Sequence, residues 1–342
     1  MNKMNVLVTG GIGYIGSHTV VELINKGYEV IIADNLSNSN ISVLAQLEKI
    51  TGKKIPFLQG DLCDKKFTET LFNTHKIDAI IHFAAYKAVG ESVEKPLKYY
   101  TNNITSLVNI IEASQSRGIK NLVFSSSCSV YGEPDKLPVD ESFPLKKPES
   151  PYANTKQIGE EILTDYIKSE DYNAIILRYF NPIGAHDTSL IGELPLGIPN
   201  NLVPYITQTA IGIREKLSIF GGDYDTPDGT CIRDYIHVVD LAKAHVIAVD
   251  RLLNKKNESA CETFNLGTGI GYSVLETVKT FEKVTDIKLN YKIVNRRAGD
   301  VVKVFADTKL ANETLQWKAE RDLENMLLTA WNWEKALNNK KK

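Results

Sequence analysis

Apolar residues in the first half of the chain fall into short runs. "NVLVTG" (5–10), "EVIIAD" (29–34), "IPFLQGD" (55–61), "DAIIHFAA" (78–85), "NLVFSSS" (121–127) and "AIILRYFN" (174–181) are each of strand length. Several are apolar throughout rather than at alternate positions, which suits strands covered on both faces of a parallel sheet. Between them lie helix-length stretches, among them Gly13–Lys26, Pro96–Arg117 and Tyr152–Ser169. The alternation predicts an α/β fold with a Rossmann-like doubly wound parallel sheet. After Asn181 the rhythm breaks. A loop rich in Gly, Pro and Asn (181–201) leads into shorter elements: helices near 202–213, 239–253, 273–285 and 322–337, and a strand at 217–220. The pattern predicts two units, 1–181 and a smaller mixed α/β unit at 182–342. Their border is interleaved, because the loop "SSSCSVYGEP" (125–134) projects from the first towards the second.

The first strand–helix turn carries Gly11-x-Gly13-x-x-Gly16, with Gly10 three residues before Gly13. It follows a strand, opens a helix, and is succeeded by Asp34 at the end of the next strand. That context is the dinucleotide fingerprint. Glycine is needed where the chain turns tightly and approaches a pyrophosphate, and the helix N-terminus offers free N–H groups to the phosphates. Asp34 suits ribose hydroxyls and repels a 2′-phosphate, which favours NAD over NADP. The first unit is therefore expected to bind the dinucleotide. Asp61, in the "GDL" that ends the third strand, either bonds the adenine or only closes a turn. The small residues of "HFAAYKAVGES" let backbone lie close to a cofactor, and Lys87 there either reaches a phosphate or is solvated.

Composition narrows the classes. With 43% apolar and 24% charged residues and a formal charge of −2, the chain has core material and no basic field to recruit nucleic acid or anionic lipid. No apolar stretch approaches the roughly 20 residues of a membrane helix, and "MNKMNVLVTGG" runs into a strand with no secretory leader. Cys63, Cys128, Cys231 and Cys261 are scattered, without Cys-x-x-Cys spacing, and the six histidines are equally dispersed. A cytoplasmic protein with reduced thiols and no metal is expected. The basic end, "NNKKK", reads as a solvated tail. In "SPYANTK" (150–156), Tyr152 and Lys156 stand one helical turn apart. The spacing serves a proton-transfer pair or a solvated helix face equally well, and 15 tyrosines make it common by chance.

Taken together, Gly10-x-x-Gly13-x-x-Gly16, "SSSCSVYG" and "SPYANTK" resemble the extended short-chain dehydrogenase/reductases. More narrowly, "DNLSNS", "KAVGESVEKPLKYY", "RYFNPIGAH", "GIPNNLVPYI", "FGGDYDTPDGTCIRDYIHVVDLA", "NLGTG" and "RRAGD" resemble the UDP-glucose 4-epimerases nearly end to end. The resemblance implies a homodimer paired through the helices near 96–117 and 152–169, and NAD that stays tightly bound and is not consumed. It implies interconversion of UDP-glucose and UDP-galactose by oxidation and re-reduction at C-4, in galactose metabolism or the supply of surface sugars. Ser127, Tyr152 and Lys156 are the implied catalytic residues. NAD would be held by Gly10, Gly13, Tyr14, Ile15, Gly16, Asp34, Asn35, Asn38, Asp61, Leu62, Phe83, Ala84, Lys87, Asn102, Ser125, Tyr152, Lys156 and Phe180. The UDP-hexose would be held by Lys87, Ser127, Tyr179, Asn181, Asn200, Asn201, Leu202, Arg233, Arg297, Asp300 and Val304.

The chemistry of that assignment can be checked. Ionising a phenol of pKa ~10 at neutral pH costs about 4 kcal/mol, and a cation ~4 Å away contributes about 4 kcal/mol at an effective dielectric of 20. Lys156 and the nicotinamide ring are the expected cations beside Tyr152. The chain departs from the family in having Ala85 where many members have Gly, Ser129 where they have Thr, and Val304 where some bacterial members have Tyr. Val304 either opens the pocket beside the sugar C-2 to N-acetylhexosamines or merely packs. A nucleotide-sugar 4,6-dehydratase would need an acid pair beside the catalytic Ser, where Cys128 and Ser129 stand. A UDP-glucuronate 4-epimerase or decarboxylase differs mainly in its carboxylate contacts. A non-catalytic NAD-binding protein can dispense with the Tyr152/Lys156 pair.

Overall fold

The computed structural model describes residues 3–297 and 300–339; Lys340–Lys342 of the expected basic tail lie outside them, as do Ala298 and Gly299. The first unit runs β1 (Asn5–Thr9), α1 (Tyr14–Lys26), β2 (Glu29–Asp34), α2 (Ser42–Thr51), β3 (Phe57–Gln59), α3 (Lys65–Thr74) and β4 (Ala79–His82). It continues through α4 (Val89–Glu94), α5 (Pro96–Gln115), β5 (Asn121–Ser127), a short 3-10 turn at Cys128–Tyr131, α6 (Pro151–Ser169) and β6 (Asn173–Tyr179). There follow β7 (Asn181–Ile183), α7 (Leu202–Ala210), β8 (Leu217–Phe220), β9 (Ile232–His237), α8 (Val238–Leu253) and β10 (Cys261–Leu266). The chain ends through β11 (Gly271–Ser273), α9 (Val274–Thr285), β12 (Tyr291–Val294), β13 (Lys303–Val304), α10 (Lys309–Thr314) and α11 (Leu323–Asn339).

Seven strands form the large sheet in the order β10-β6-β5-β4-β1-β2-β3, each neighbouring pair parallel. Its faces are both buried, as the unbroken apolar runs require. In β1, Val6 and Val8 join one core with Val20 and Leu23 of α1 and Leu241 and Val249 of α8. Leu7, between them, joins the other core with Leu71 of α3, Leu107 and Ile110 of α5 and Leu163 of α6. Each such side chain, fully buried, contributes roughly 1.5–3 kcal/mol. The strand order reverses between β1 and β4, so the helices after them leave on opposite faces and open a crevice at the carboxyl ends of the strands.

The later residues build a four-stranded sheet, β11-β9-β13 with β7 also on β9, and a β8–β12 pair. Val203, Ile206, Phe281 and Trp331 bring α7, α9 and α11 together over them. A capping box starts α9, with Ser273 accepting from Glu276 N while the Glu276 side chain accepts from Ser273 N. The chain crosses between its two parts more than once. α8 and β10 return to the large sheet, and Val139 of the 125–143 loop bridges to Ala306, with Val139 N donating to Phe305 O at 3.0 Å.

Candidate functional site

Side chains from six strand ends gather at the crevice. The glycine loop leaves β1 with Gly10 in the left-handed region (φ +67°), and a Cβ on Gly16 would lie 2.3 Å from Gly10 O. α1 therefore starts tight against the strand, and no side chain caps it at Gly13. Its first N–H groups, those of Tyr14, Ile15 and Gly16, are left for an anion. The Tyr14 phenol donates to Gly184 O at 2.6 Å. At the end of β2 the buried Asp34 accepts from Leu36 N (2.9 Å) and Ser39 Oγ (2.8 Å), both at Oδ1, which leaves Oδ2 for a ribose. The uncapped N-terminus, the glycine cradle and this free carboxylate oxygen fit a dinucleotide.

The remaining expected cofactor residues spread along the same edge. Asp61 is exposed and closes a turn through Cys63 N at 2.9 Å, beside the buried Leu62. Asn35 closes another through Ser37 N, and Asn38 is exposed. Phe83 follows β4 and packs on His245 with ring centroids 4.7 Å apart, and Ala84 N donates to Thr9 Oγ1. Asn102 donates to Asn103 Oδ1, and Asn103 in turn donates to Tyr86 O and to Thr155 Oγ1 of α6. Asn103 was not anticipated. A buried amide midway along α5 carries no motif, and only the fold shows that it ties the β4 loop to α6.

The expected catalytic trio is brought together. Ser150 caps α6, accepting from Ala153 N at 3.2 Å, and Pro151 opens the helix, so "SPY" fixes where Tyr152 starts. Tyr152 is buried, with the Ser127 hydroxyl beside its phenol. Ser129 Oγ donates to Ser127 Oγ at 3.0 Å, so three hydroxyls gather at this point. Lys156, also buried, donates to Ser125 O at 2.6 Å and lies 5.1 Å above the Phe124 ring. Ser125 Oγ is hydrogen-bonded to the Tyr179 phenol, and Phe180 beyond it is buried.

The electrostatics show why Lys156 and the nicotinamide ring were expected to act together on Tyr152. Burial pushes the Tyr152 phenol above its ordinary value, Tyr179 pushes it the same way, and the Ser127 bond acts against both. The Lys156 ammonium is directed at the Ser125 carbonyl, and burial lowers its pKa to about 8 while Glu160 raises it. Cys128, next to Ser127, is a thiol pushed up to about 12 by burial, so it stays protonated.

On the far side of the crevice Asp300 draws two arginines together, Arg297 Nη2 at 2.6 Å and Arg233 Nη2 at 3.9 Å. Asn201 precedes α7 without capping it and donates instead to Glu193 Oε1 at 2.5 Å, and Lys87 pairs with the same oxygen at 3.5 Å. Glu193 was also not anticipated. Asn181 opens β7, Asn200 is exposed, and Leu202 opens α7. Val304 pairs with Arg233 across β13 and β9 and is buried among Val130, Tyr131, Phe180 and Ala306, with Cys128 against the same cluster. Among the described residues no group of three or more His, Cys, Asp or Glu side chains is arranged to hold a metal ion, and no helix is long and apolar enough to cross a membrane.

A family model described as GDP-mannose 4,6 dehydratase matches residues 7–329. UDP-glucose 4-epimerase of Bacillus subtilis (strain 168) is 51% identical over 332 residues, which is 97% of each chain. The crystal structure of UDP-glucose 4-epimerase from Bifidobacterium longum in complex with NAD+ and UDP superposes with a TM-score of 0.95 at 44% identity, covering 98% of this chain and 99% of that one. The UDP-Glc/GlcNAc 4-epimerase of Campylobacter jejuni superposes with a TM-score of 0.83 at 38% identity, covering 97% and 99%.

Proposed function

The chain belongs to the UDP-glucose 4-epimerases, within the family whose model is described as GDP-mannose 4,6 dehydratase, and we propose that Ser127, Tyr152 and Lys156 carry its reaction. It is an isomerase that interconverts UDP-glucose and UDP-galactose, with NAD as its cofactor. The observation that carries the assignment is the hydrogen-bonded Ser129–Ser127 hydroxyl pair beside the buried Tyr152 phenol, with the Lys156 ammonium one helical turn away. A dehydratase would need a proton donor and acceptor beside Ser127, and the un-ionised thiol of Cys128 and the hydroxyl of Ser129 do not supply that pair.

NAD, when bound, supplies the acceptor and then the donor of the C-4 hydride. Tyr152 Oη takes the proton of the sugar 4-hydroxyl, while Ser127 Oγ hydrogen-bonds the same oxygen. Once the 4-keto sugar has turned its other face, Tyr152 Oη returns the proton and the 4-hydroxyl is inverted. Burial alone holds Tyr152 as the neutral phenol. Its activation requires positive charge close by, which Lys156 supplies in part and the bound cofactor's ring in part. Lys87, Asn201, Arg233 and Arg297 hold the diphosphate end, where planar paired guanidinium donors suit phosphate oxygens.

The remaining expectations are proposed on specific supports. The two functional units are 1–181 for NAD and 182–342 for the UDP-sugar, with α8 and β10 serving the first. A homodimer is supported by exposed apolar side chains, Val89 and Val93 of α4 and Leu97 at the start of α5. The enzyme works in the cytoplasm. N-acetylhexosamine substrates are supported by the short side chain at Val304 and by the likeness to the Campylobacter jejuni enzyme. Purified protein given UDP-galactose or UDP-GalNAc separately, without added NAD, tests the reading by NMR of the sugar protons. Conversion of both to 4-epimer mixtures is expected; conversion of UDP-galactose alone removes the N-acetyl proposal, and conversion of neither after NAD is supplied removes the catalytic one.

A further inference from the structure

Tyr152, Lys156 and Glu160 follow one another at four-residue spacing along α6, and they meet three consecutive residues of β5. Tyr152 lies beside Ser127, Lys156 donates to the Ser125 carbonyl at 2.6 Å, and Glu160 Oε1 accepts from Ser126 Oγ at 2.5 Å. Successive strand side chains alternate in face, so Ser126 shares the face of Phe124, the one that α6 covers. Helix and strand are pressed together at this height. A Cβ on Gly159 would lie 2.6 Å from Phe124 Cζ.

Glu160 is also the hub of a buried network. It is 5% exposed and its partner on β6, Arg178, 7%. Arg178 grips both carboxylate oxygens, Nη2 to Oε2 at 2.6 Å and Nε to Oε1 at 3.0 Å. Arg178 Nη1 donates to the Tyr131 phenol at 3.0 Å, which donates to Asn265 Oδ1 on β10 at 2.7 Å. Tyr131 closes the turn that carries Cys128 and Ser129. One carboxylate thus binds α6 to β5 and β6 and, through Arg178, to the turn that supplies Ser129. A buried ion pair is a weak source of net stability compared with apolar side chains of similar volume. What this one does supply is a fixed height of α6 on β5.

We propose that Glu160 is the positioning residue of the site: clamped by Ser126 and Arg178, it sets Tyr152 against Ser127 and keeps a carboxylate one helical turn from the Lys156 ammonium. The proposal rests on the assignment of Tyr152 and Lys156 to catalysis. Glu160 on α6 and His82 on β4 interact with the Lys156 charge, Arg178 on β6 pairs with Glu160, and Tyr179 on β6, Tyr99 on α5 and Cys128 in the turn act on the neighbouring Tyr152. Among them Glu160 is the anion that opposes the effect of burial on Lys156.

The test uses NAD-loaded holoenzyme in three forms besides the native one: Glu160→Gln, Arg178→Lys, and the double change Glu160→Met with Arg178→Met, which leaves no buried charge alone. For Glu160→Gln and the double variant, NAD content and KM are expected to stay native while kcat falls about 100-fold, the cost of an ångström-scale misplacement. The alkaline limb of the kcat–pH profile is expected to move down by about one unit as Lys156 loses its anion. Arg178→Lys, which keeps the carboxylate charged, is expected to keep the native limb. A folded Glu160→Gln or double variant with native kcat and limb overturns the proposal, and so does a loss of activity with the limb unmoved. Failure of all three to give folded holoenzyme assigns the pair to stability alone and overturns it as well. Tyr152→Phe, assayed alongside, separates the two levels: native turnover there refutes the catalytic assignment itself.

Discussion

Acidification should unfold this protein through four histidines. His18, His82, His237 and His245 are each no more than 2% exposed. Burial lowers their pKa values from 6.5 to about 3, 3, 2 and 4 respectively. The local geometry agrees. His237 Nδ1 accepts from Val239 N at 3.0 Å and the Arg321 guanidinium lies 3.3 Å from Nε2, so a charged ring would face an N–H and a cation. The unfolded chain takes a proton at each ring near its ordinary value, and the folded chain does so only far below it. Between those values the unfolded state holds more protons, so stability falls as pH falls; above about pH 7.5 these rings contribute almost nothing to the dependence. From about pH 7 to about 5.5 each ring loses roughly 1.2 kcal/mol, and the four together about 5 kcal/mol, a large share of the typical 5–15 kcal/mol of a folded domain. Asp234, Glu141 and Glu22, raised by burial, act in the opposite sense. A single-site comparison isolates the histidine contribution. Urea unfolding of the holoenzyme at fixed NAD, followed by circular dichroism across this range, gives the slope of stability against pH. His245→Leu should reduce the mean slope over this range by about 0.8 kcal/mol per unit, approaching about 1.4 only near its acid end. A slope that is flat, or unchanged in His245→Leu, refutes the assignment of these rings as neutral in the folded state.

Other outcomes follow from the site. Tyr152→Phe should lower kcat by about 100- to 10,000-fold, the usual contribution of a general base, while NAD remains bound; turnover with NAD content measured on the same sample decides it. Gly16→Ala places a methyl 2.3 Å from Gly10 O, a backbone atom that cannot swing aside, so purified protein should carry little NAD, and native NAD content would show that the turn can relax. Val304→Tyr forces a ring into the cluster of Val130, Tyr131 and Phe180, at a cost of about 1–3 kcal/mol from overpacking. It should abolish turnover of UDP-GalNAc while sparing UDP-galactose, and unchanged UDP-GalNAc turnover would leave Val304 a packing residue only.

The large sheet was legible because its strands are buried on both faces and so read as unbroken apolar runs. β5 of that sheet, at 121–127, falls where the pattern placed it, as does β8 of the smaller β8–β12 pair at 217–220. The edge strand β10 was not, since "CETFNL" alternates in polarity and follows the break at Asn181, and its place beside β6 is decided by long-range pairing. The glycine turn and Asp34 were readable from local spacing, because backbone approach and a strand-end carboxylate are local demands.

By itself, the sequence determined the α/β class and the glycine turn of the nucleotide crevice, and it pointed to Tyr152, Lys156 and Ser127, since each depends on residues close in the chain or on a motif. Tertiary structure alone decided the rest. Asn103 beside Thr155, Glu193 between Lys87 and Asn201, and Glu160 between Ser126 and Arg178 join residues 8 to 106 positions apart. Burial, likewise invisible in spacing, is what turns Tyr152 into a reluctant acid and Lys156 into a weakly held cation, because the cost of charge depends on the surroundings that the whole fold assembles.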